Sequence, residues 1–276
     1  MNQIELYEFD RQGFIHIPQF LTTAEIHSLS CTIEQLETHA RSKLDKPKRK
    51  ISKWGPKYYL CPDHGYHFQG GIESGETLII EDFFNFSPAF DFLVSHEKSM
   101  EYISAIVQEE IGINNSELRI RYPGNFSSTH MGGPLSHKYR YTFNSKGIDC
   151  MMVRIIYFIH AVKSEEGAFC VVPGTHKSNF NSPYKCSVND EPGMIGLEVD
   201  AGDAILFTEN LRHGGFTNSS QKTRKTLHVG YGPSWMMSQN IATMDEPPYI
   251  TEETWGRYEA KQQKLFRPWL QKHKLY

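Results

Sequence analysis

The chain has 276 residues, 39% of them hydrophobic and 22% charged, which is typical of a globular protein rather than a disordered or fibrous one. Its formal net charge of −3 and pI of about 6.5 exclude the overall basic field that would favour nucleic acid or an anionic membrane as a partner. The N-terminus lacks the pattern of a secretory signal, and no apolar stretch is long enough to span a bilayer, so we expect a cytoplasmic protein without a membrane partner.

The N-terminal part of the chain shows the patterns of one strand and two helices. Residues 13–18 alternate in polarity and end in proline, which predicts a short strand. Residues 22–36 begin with the form of a capping box and then place apolar residues at helical spacing, which predicts a helix packed on the outside of the domain. A second helix is predicted over residues 90–110, because apolar residues share one face there and a glycine follows.

The character of the chain changes at about residue 118. Short β-type runs separated by Gly and Pro turns then follow one another, and the last stretch, from residue 252 to 274, has a helical and charged pattern. Many short strands favour a mainly β jelly roll or sandwich over a parallel doubly wound sheet. We therefore expect a single domain with an N-terminal strand and helices, a β core and a C-terminal helical segment, at residues 1–117, 118–231 and 232–276.

Three polar residues stand beside turns at the edge of the predicted β region: His130, His213 and Arg224. A single histidine is more often a hydrogen-bonded structural residue than a metal ligand. A lone arginine near two lysines is, by itself, an ordinary exposed loop residue. The sequence around these three residues is what makes them candidates for a functional site.

Two runs resemble a known family. Residues 166–177, EGAFCVVPGTHK, resemble the strand and turn of the phytanoyl-CoA dioxygenase-like family of Fe(II)/2-oxoglutarate-dependent oxygenases. Residues 202–207, GDAILF, lead to His213 in the way that this family's strand leads to its distal iron-binding histidine. Eleven residues after His213, Arg224 followed by Thr226 matches the family's 2-oxoglutarate-binding arginine and the hydroxyl two positions on.

The resemblance implies a fold, cofactors and a reaction. The fold is a cupin-like double-stranded β-helix with flanking helices. Iron is expected on His130 and His213, and 2-oxoglutarate on Arg224 and Thr226, with O₂ as the third reactant. Decarboxylation of 2-oxoglutarate to succinate and CO₂ would be coupled to removal of a hydrogen from an aliphatic C–H bond of a small-molecule substrate.

These placements agree with the chemistry of the residue types. Iron that must bind an oxo-acid and O₂ needs open positions, so proteins hold it with few ligands, usually two histidines and a carboxylate. The planar fork of Arg224 suits bidentate contact with a carboxylate. Thr226 lies two residues further along a strand and therefore points to the same face.

One position departs from the family pattern. The family's proximal motif is His-x-Asp, but here glycine follows His130 at position 132, so the iron would lose an anionic ligand. Chloride or bromide could fill the gap beside Gly132, as in related halogenases with a small residue at this point. Water or another carboxylate, for which Glu209 is a candidate, could fill it instead and leave a hydroxylase. A third alternative is a non-catalytic barrel that binds a small molecule.

Other residues remain candidates for the site. His137 is a rival to His130 as the first metal ligand. Arg154 interrupts an apolar strand, so a buried Arg154 needs an anionic partner, either a carboxylate or phosphate of a ligand or an internal ion pair. The sequence leaves the oligomeric state open. Substrate contacts are expected from inward-facing residues near the metal, with Tyr139, Arg154 and Arg121 as the main candidates and Arg119, Met152 and Tyr157 as further ones.

Overall fold

The computed structural model describes residues 1–46, 50–51, 57–73, 75–131, 139–236 and 250–266. The helices in this part of the chain are α1 (Gln3–Gln12), α2 (Thr23–Arg41), α3 (Glu97–Ser104), α4 (Glu252–Arg257) and α5 (Ala260–Lys264). The strands are β1 (Phe14–Ile17), β2 (Lys50–Ile51), β3 (Lys57–Leu60), β4 (His67–Gln69), β5 (Leu78–Glu81), β6 (Ile111–Arg121), β7 (Ser127–His130), β8 (Tyr141–Asn144), β9 (Gly147–Cys150), β10 (Val153–Phe158), β11 (Phe169–Val172), β12 (Ile195–Gly196), β13 (Ala204–Thr208), β14 (Arg212–Gly215) and β15 (Arg224–Pro233).

The strands form two sheets and a separate hairpin. The larger sheet has the order β1-β13-β10-β15-β6-β5-β4-β3-β2, the smaller has the order β12-β11-β14-β7, and β8 pairs with β9. Neighbouring strands in these sheets pair antiparallel. This mainly antiparallel jelly-roll architecture confirms the predicted fold class.

Alternation along the central strand β10 explains how the core is divided. Val153 and Ile155 point to one face of the larger sheet and join the cluster that the helices cover. Ile156 and Phe158 point to the other face and join the apolar cluster shared with the smaller sheet. Because successive side chains of a strand point to opposite faces, Arg154 belongs to the face that looks toward the smaller sheet.

Several predicted elements are confirmed. Strand β1 and helix α2 lie where the pattern placed them, and the capping box at Thr22 and Glu25 is formed. The apolar face of α2 packs on the larger sheet through residues such as Leu29, Ile33 and Leu36. The β-type runs predicted between residues 118 and 231 each contain a strand; they are residues 118–122, 151–160, 168–172, 195–199, 203–208 and 226–231.

The helix predicted over residues 90–110 is wrong in extent. The structure has a 3₁₀ segment at Pro88–Leu93 and a short α3, with extended backbone at His96 between them. The ring of His96 stacks on Phe20, 5.1 Å between centroids, and its Nε2 lies 3.6 Å from Glu25. These tertiary contacts coincide with the break that the helical periodicity did not predict.

Some elements had no prediction. Helix α1 begins at a capping box formed by Asn2 and Glu5 and ends at Gly13, whose φ of 85° is left-handed. Strands β3 to β6 extend the larger sheet with residues from before position 118. Within the described residues, no helix combines the length and the apolar character needed to cross a membrane.

Candidate active site

A polar cavity lies between the two sheets. It is partly open to solvent. The smaller sheet contributes two histidines and the larger sheet contributes most of the charged lining. The polar residues that line it include His130, His213, Ser127, Arg119, Arg121, Arg154, Glu209, Arg224 and His228.

Two imidazoles meet at one side of this cavity although 83 positions separate them in the chain. Strands β7 and β14 pair with His130 directly opposite His213. The centroids of the two rings are 4.3 Å apart. Antiparallel pairing therefore brings both side chains to one place, as the sequence predicted.

Backbone hydrogen bonds fix which nitrogen of each ring is available. Nδ1 of His130 lies 2.8 Å from the carbonyl oxygen of Ser128, and Nδ1 of His213 lies 2.7 Å from that of Leu211. A carbonyl oxygen only accepts, so each Nδ1 must donate its hydrogen. In the neutral ring, Nε2 is then left with a lone pair, which is the form that binds a metal ion.

Burial keeps both rings neutral. Desolvation lowers the pKa of His213 to about 3, with a further contribution from the neighbouring His130. Desolvation likewise lowers the pKa of His130. The two rings are therefore uncharged at neutral pH. The lone pairs of their Nε2 atoms are suited to binding a borderline transition metal such as iron.

Two buried arginines, Arg121 and Arg224, form what we call the open arginine pair. They are direct cross-strand partners on β6 and β15 and are only 1% and 2% exposed. Both donate to the carbonyl oxygen of Gly167. Arg121 also donates to Oγ of Ser127 at 2.6 Å, and Arg224 to Oγ1 of Thr226 at 3.2 Å.

The open arginine pair has unused hydrogen-bonding capacity. The Nε atoms of Arg121 and Arg224 are buried without a hydrogen-bond partner in the described part of the chain. No carboxylate from that part contacts either guanidinium. Like charges directly opposite each other are unfavourable, and buried charges are normally paired. Desolvation lowers the pKa of Arg224 to about 9, which still leaves the group charged at neutral pH.

A glycine makes room for this pair. A Cβ atom at Gly215 would lie 1.8 Å from Nη1 of Arg121, so the guanidinium occupies the space that any other residue would fill. Gly215 follows His213 by two residues on β14. The arginine and the histidine are thus positioned by the same short strand.

A second group of charges, which we call the paired cluster, forms ion pairs within the protein. It consists of Glu117, Arg119, Arg154 and Glu209. Glu117 accepts from Arg119 at 2.5 Å and from Arg154 at 2.8 Å, and Arg154 also donates to Glu209 at 2.5 Å. Burial alone would raise the pKa of Glu209, but Arg154 beside it lowers that pKa to about 2.

A profile of the family described as phytanoyl-CoA dioxygenase (PhyH) matches residues 87–226, which is 140 of the 276 residues and includes both histidines and Arg224. The chain belongs to the phytanoyl-CoA dioxygenase family. It is therefore a non-haem iron oxygenase, as the sequence motifs predicted.

Individual relatives agree with this membership. A methylphosphonate hydroxylase of Gimesia maris is 21% identical over 237 residues, which cover 82% of this chain and 79% of the relative. A dioxygenase of Penicillium canescens, olcK, is 33% identical over 92 residues, or 33% of this chain and 29% of the relative. The structure of HygX from Streptomyces hygroscopicus with nickel, 2-oxoglutarate and hygromycin B has a TM-score of 0.68 at 19% identity, covering 91% and 96% of the two chains.

The structure places the predicted family residues as follows. His130, His213, Arg224 and Thr226 come together at the cavity or beside it, and Arg121 joins them from the neighbouring strand. Gly132 and the rival ligand His137 lie outside the described residues.

Three of the predicted substrate contacts, Arg154, Tyr157 and Tyr139, have different surroundings in the structure. Arg154 is buried but takes Glu117 and Glu209 as partners, so the internal ion pair, rather than an anionic ligand, explains its place in an apolar strand. The prediction that Tyr157 contacts the substrate is wrong, because its side chain points to the face of the larger sheet that the helices cover, where it contacts Ser99. The backbone of Tyr139 exchanges hydrogen bonds with the side chain of Asn210 near the cavity.

The structure also adds residues to the cavity that the sequence did not single out. His228 lines the cavity, and its Nε2 lies 3.0 Å from Oγ1 of Thr226. The alternation Arg224, Thr226, His228 along β15 was the signal that places it on the same face. Within the described residues, no three His, Cys, Asp or Glu side chains are grouped closely enough to hold a metal ion, so Glu209 does not complete a triad with the histidines there.

Proposed function

We propose that this oxygenase binds Fe(II) through His130 and His213 and 2-oxoglutarate through Arg224, and that it oxidises an aliphatic C–H bond of a small molecule. One observation carries the proposal. Two neutral imidazoles with their Nε2 atoms available lie across the same cavity from two buried guanidiniums that have no carboxylate partner. A metal ion and a dicarboxylate would satisfy both groups of atoms at once.

Each residue has a defined task in this proposal. The Nδ1 hydrogen bonds to Ser128 and Leu211 hold the rings in the tautomer that presents Nε2. The guanidinium of Arg224 can donate two parallel hydrogen bonds to the distal carboxylate of 2-oxoglutarate. Thr226 accepts from Arg224 and is in reach of His228, so it orients the guanidinium and can add a hydrogen bond. The enclosing apolar residues Phe169 and Phe207 limit the access of water.

The expected reaction is balanced as follows. When bound, iron and 2-oxoglutarate supply the oxidising power: O₂, 2-oxoglutarate and R–H yield R–OH, succinate and CO₂. The names of relatives support a small-molecule substrate, because one is a methylphosphonate hydroxylase and another structure contains hygromycin B. This chain is proposed to act on a molecule of that size class.

Anaerobic titration tests the cofactor assignment. Adding Fe(II) and then 2-oxoglutarate to the metal-free protein should produce the visible charge-transfer absorption of a chelated oxo-acid, and air should then yield succinate. His213→Ala should abolish the absorption, whereas His16→Ala, which removes an imidazole paired with Asp203 on the outside, should leave it intact. Absence of both absorption and succinate from the unaltered protein would favour a non-catalytic binding barrel instead.

Halogenation is a second candidate, favoured by the glycine at position 132. In that reaction chloride and a proton enter with R–H, O₂ and 2-oxoglutarate, and R–Cl, succinate, CO₂ and water leave. Chloride-dependent formation of the O₂-reactive complex, lost in Gly132→Asp, would support the halogenase. Succinate formation and product identity that do not respond to chloride or bromide would support the hydroxylase, with water in place of the missing carboxylate.

A further inference from the structure

The lining of the cavity carries an excess of positive charge. Four guanidiniums reach it, those of Arg119, Arg121, Arg154 and Arg224. In the described part of the chain, two carboxylates, those of Glu117 and Glu209, form ion pairs with them. Arginine stays protonated in proteins, so the part of the lining that the structure describes retains two uncompensated positive charges.

The proposed cofactors do not remove this excess. The two positive charges of Fe(II) balance the two negative charges of 2-oxoglutarate, so loading both leaves the net charge unchanged. A site with two histidines, one carboxylate and one arginine would be neutral when loaded in the same way. This cavity differs by a second unpaired arginine, Arg121, and by glycine at position 132. Uncompensated buried charge is costly, so a further anion is expected in the cavity.

The geometry singles out Arg119 as the group that can receive this anion. Arg121 and Arg224 both use terminal nitrogens on Gly167. Arg154 is held by two carboxylates through Nε and Nη1, which leaves only Nη2 without a partner in the described part of the chain. Arg119 uses only its Nε, on Glu117, and its side chain is 13% exposed. Its two terminal nitrogens have no hydrogen-bond partner among the described residues.

Arg119 also lines the cavity that the two histidines line. It opposes Thr226 in the register of β6 and β15, one step from the open arginine pair along the same face. Arg119 is therefore next to the proposed 2-oxoglutarate site and shares a cavity with the proposed metal ligands.

We propose that the substrate carries an anionic group, a carboxylate, phosphonate or phosphate, and that the terminal nitrogens of Arg119 bind this group. The inference rests on the proposed function, because it assigns Arg224 to 2-oxoglutarate. It makes Arg119 a specificity-determining residue that selects anionic over neutral molecules of the same shape. A bidentate guanidinium contact also fixes orientation, so the anionic end would set which carbon faces the metal.

Direct binding measurements test the assignment without knowledge of the natural substrate. The protein is loaded with Ni(II), which does not turn over, and saturated with 2-oxoglutarate. Inorganic phosphate and propanoate are then titrated by calorimetry, with propanamide as the neutral isostere of propanoate. We expect both anions to bind and propanoate to bind at least tenfold more tightly than propanamide.

Variants locate the anion. Arg119→Gln should weaken phosphate and propanoate at least tenfold and change the 2-oxoglutarate affinity less than twofold, and Arg119→Lys should recover part of the loss. Arg140→Gln, which removes an arginine paired with Glu109 and Asp149 outside the cavity, is the matched control and should change neither affinity. A melting temperature for each variant separates lost binding from lost folding.

The outcomes are distinct. Anions that compete with 2-oxoglutarate, or that bind Arg119→Gln as tightly as the parent, overturn the proposal, as does equal binding of propanoate and propanamide. Failure of the parent to bind 2-oxoglutarate at all would instead overturn the proposed function. Turnover by the Fe(II) enzyme gives a further test. Anionic compounds should stimulate succinate formation more than their amides do. A preference for the amides would contradict the assignment.

Discussion

The two groups of charges in the cavity are built differently although both include residues of β6. In the paired cluster, Glu117 and Glu209 neutralise Arg119 and Arg154 within the protein. In the open arginine pair, no described carboxylate reaches Arg121 or Arg224, and Gly215 leaves space for a guanidinium. The first arrangement supports the folded state, whereas the second is costly until a ligand supplies the counter-charge.

Breaking the paired cluster should cost the most stability. Glu117→Gln removes the carboxylate shared by Arg119 and Arg154, and breaking a buried ion pair on one side typically costs about 3–5 kcal/mol. We expect the free energy of unfolding, measured by urea denaturation of the apo protein, to fall by that amount. Glu198→Gln removes an exposed carboxylate paired with Lys163 and should leave it unchanged. Equal effects of the two variants would contradict the distinction.

Acid should weaken the paired cluster next. The pKa of Glu209 is lowered from 4.5 to about 2 in the folded protein, so its contribution is fully present above the unfolded value and is lost as the pH falls from about 4.5 toward 2. A shift of this size corresponds to about 3 kcal/mol. Glu209→Gln should therefore flatten the loss of stability between pH 4.5 and 2. An unchanged slope would show that the carboxylate is not held in its ionised form.

Removing one member of the open arginine pair should change the stability of the apo protein little and the affinity for 2-oxoglutarate strongly. Arg224→Gln removes an unpaired buried charge, so the stability of the apo protein should stay within about 1 kcal/mol of the parent or rise. The affinity for 2-oxoglutarate should fall at least about a hundredfold, or roughly 2.7 kcal/mol. Calorimetry on the Ni(II) form measures the affinity. A large loss of apo stability with retained affinity would mean that Arg224 is a structural residue.

The smallest effect is expected at the glycine that accommodates the pair. In Gly215→Ala the new Cβ would displace the Arg121 guanidinium, with a cost of about 1 kcal/mol and a few-fold weaker 2-oxoglutarate affinity. Gly256→Ala, in an exposed turn of α4 where a Cβ meets no atom within 4 Å, is the matched control. Unfolding curves and calorimetry on both variants give the comparison. An affinity unchanged in Gly215→Ala would remove the proposed link between this glycine and the cofactor site.

The sequence by itself determined the fold class and the proximity of the main site residues. The short β runs with Gly and Pro turns predicted an antiparallel jelly roll, and the motifs around His213 and Arg224 predicted the family. His130 and His213 could be expected to meet because both lie at strand ends near one mouth of the predicted barrel. Those inferences use local patterns and a family resemblance, which a linear sequence carries.

Only the tertiary structure decided how the charges are partnered. Whether Arg154 binds a ligand or an internal carboxylate depends on the register of β10 against β15 and of β15 against β6, which brings Glu117 within reach. The same register puts Arg121 opposite Arg224 and His228 on the cavity face. Pairing between strands that are distant in the chain has no signature in local sequence, because side-chain periodicity gives the face of a strand but not its neighbour.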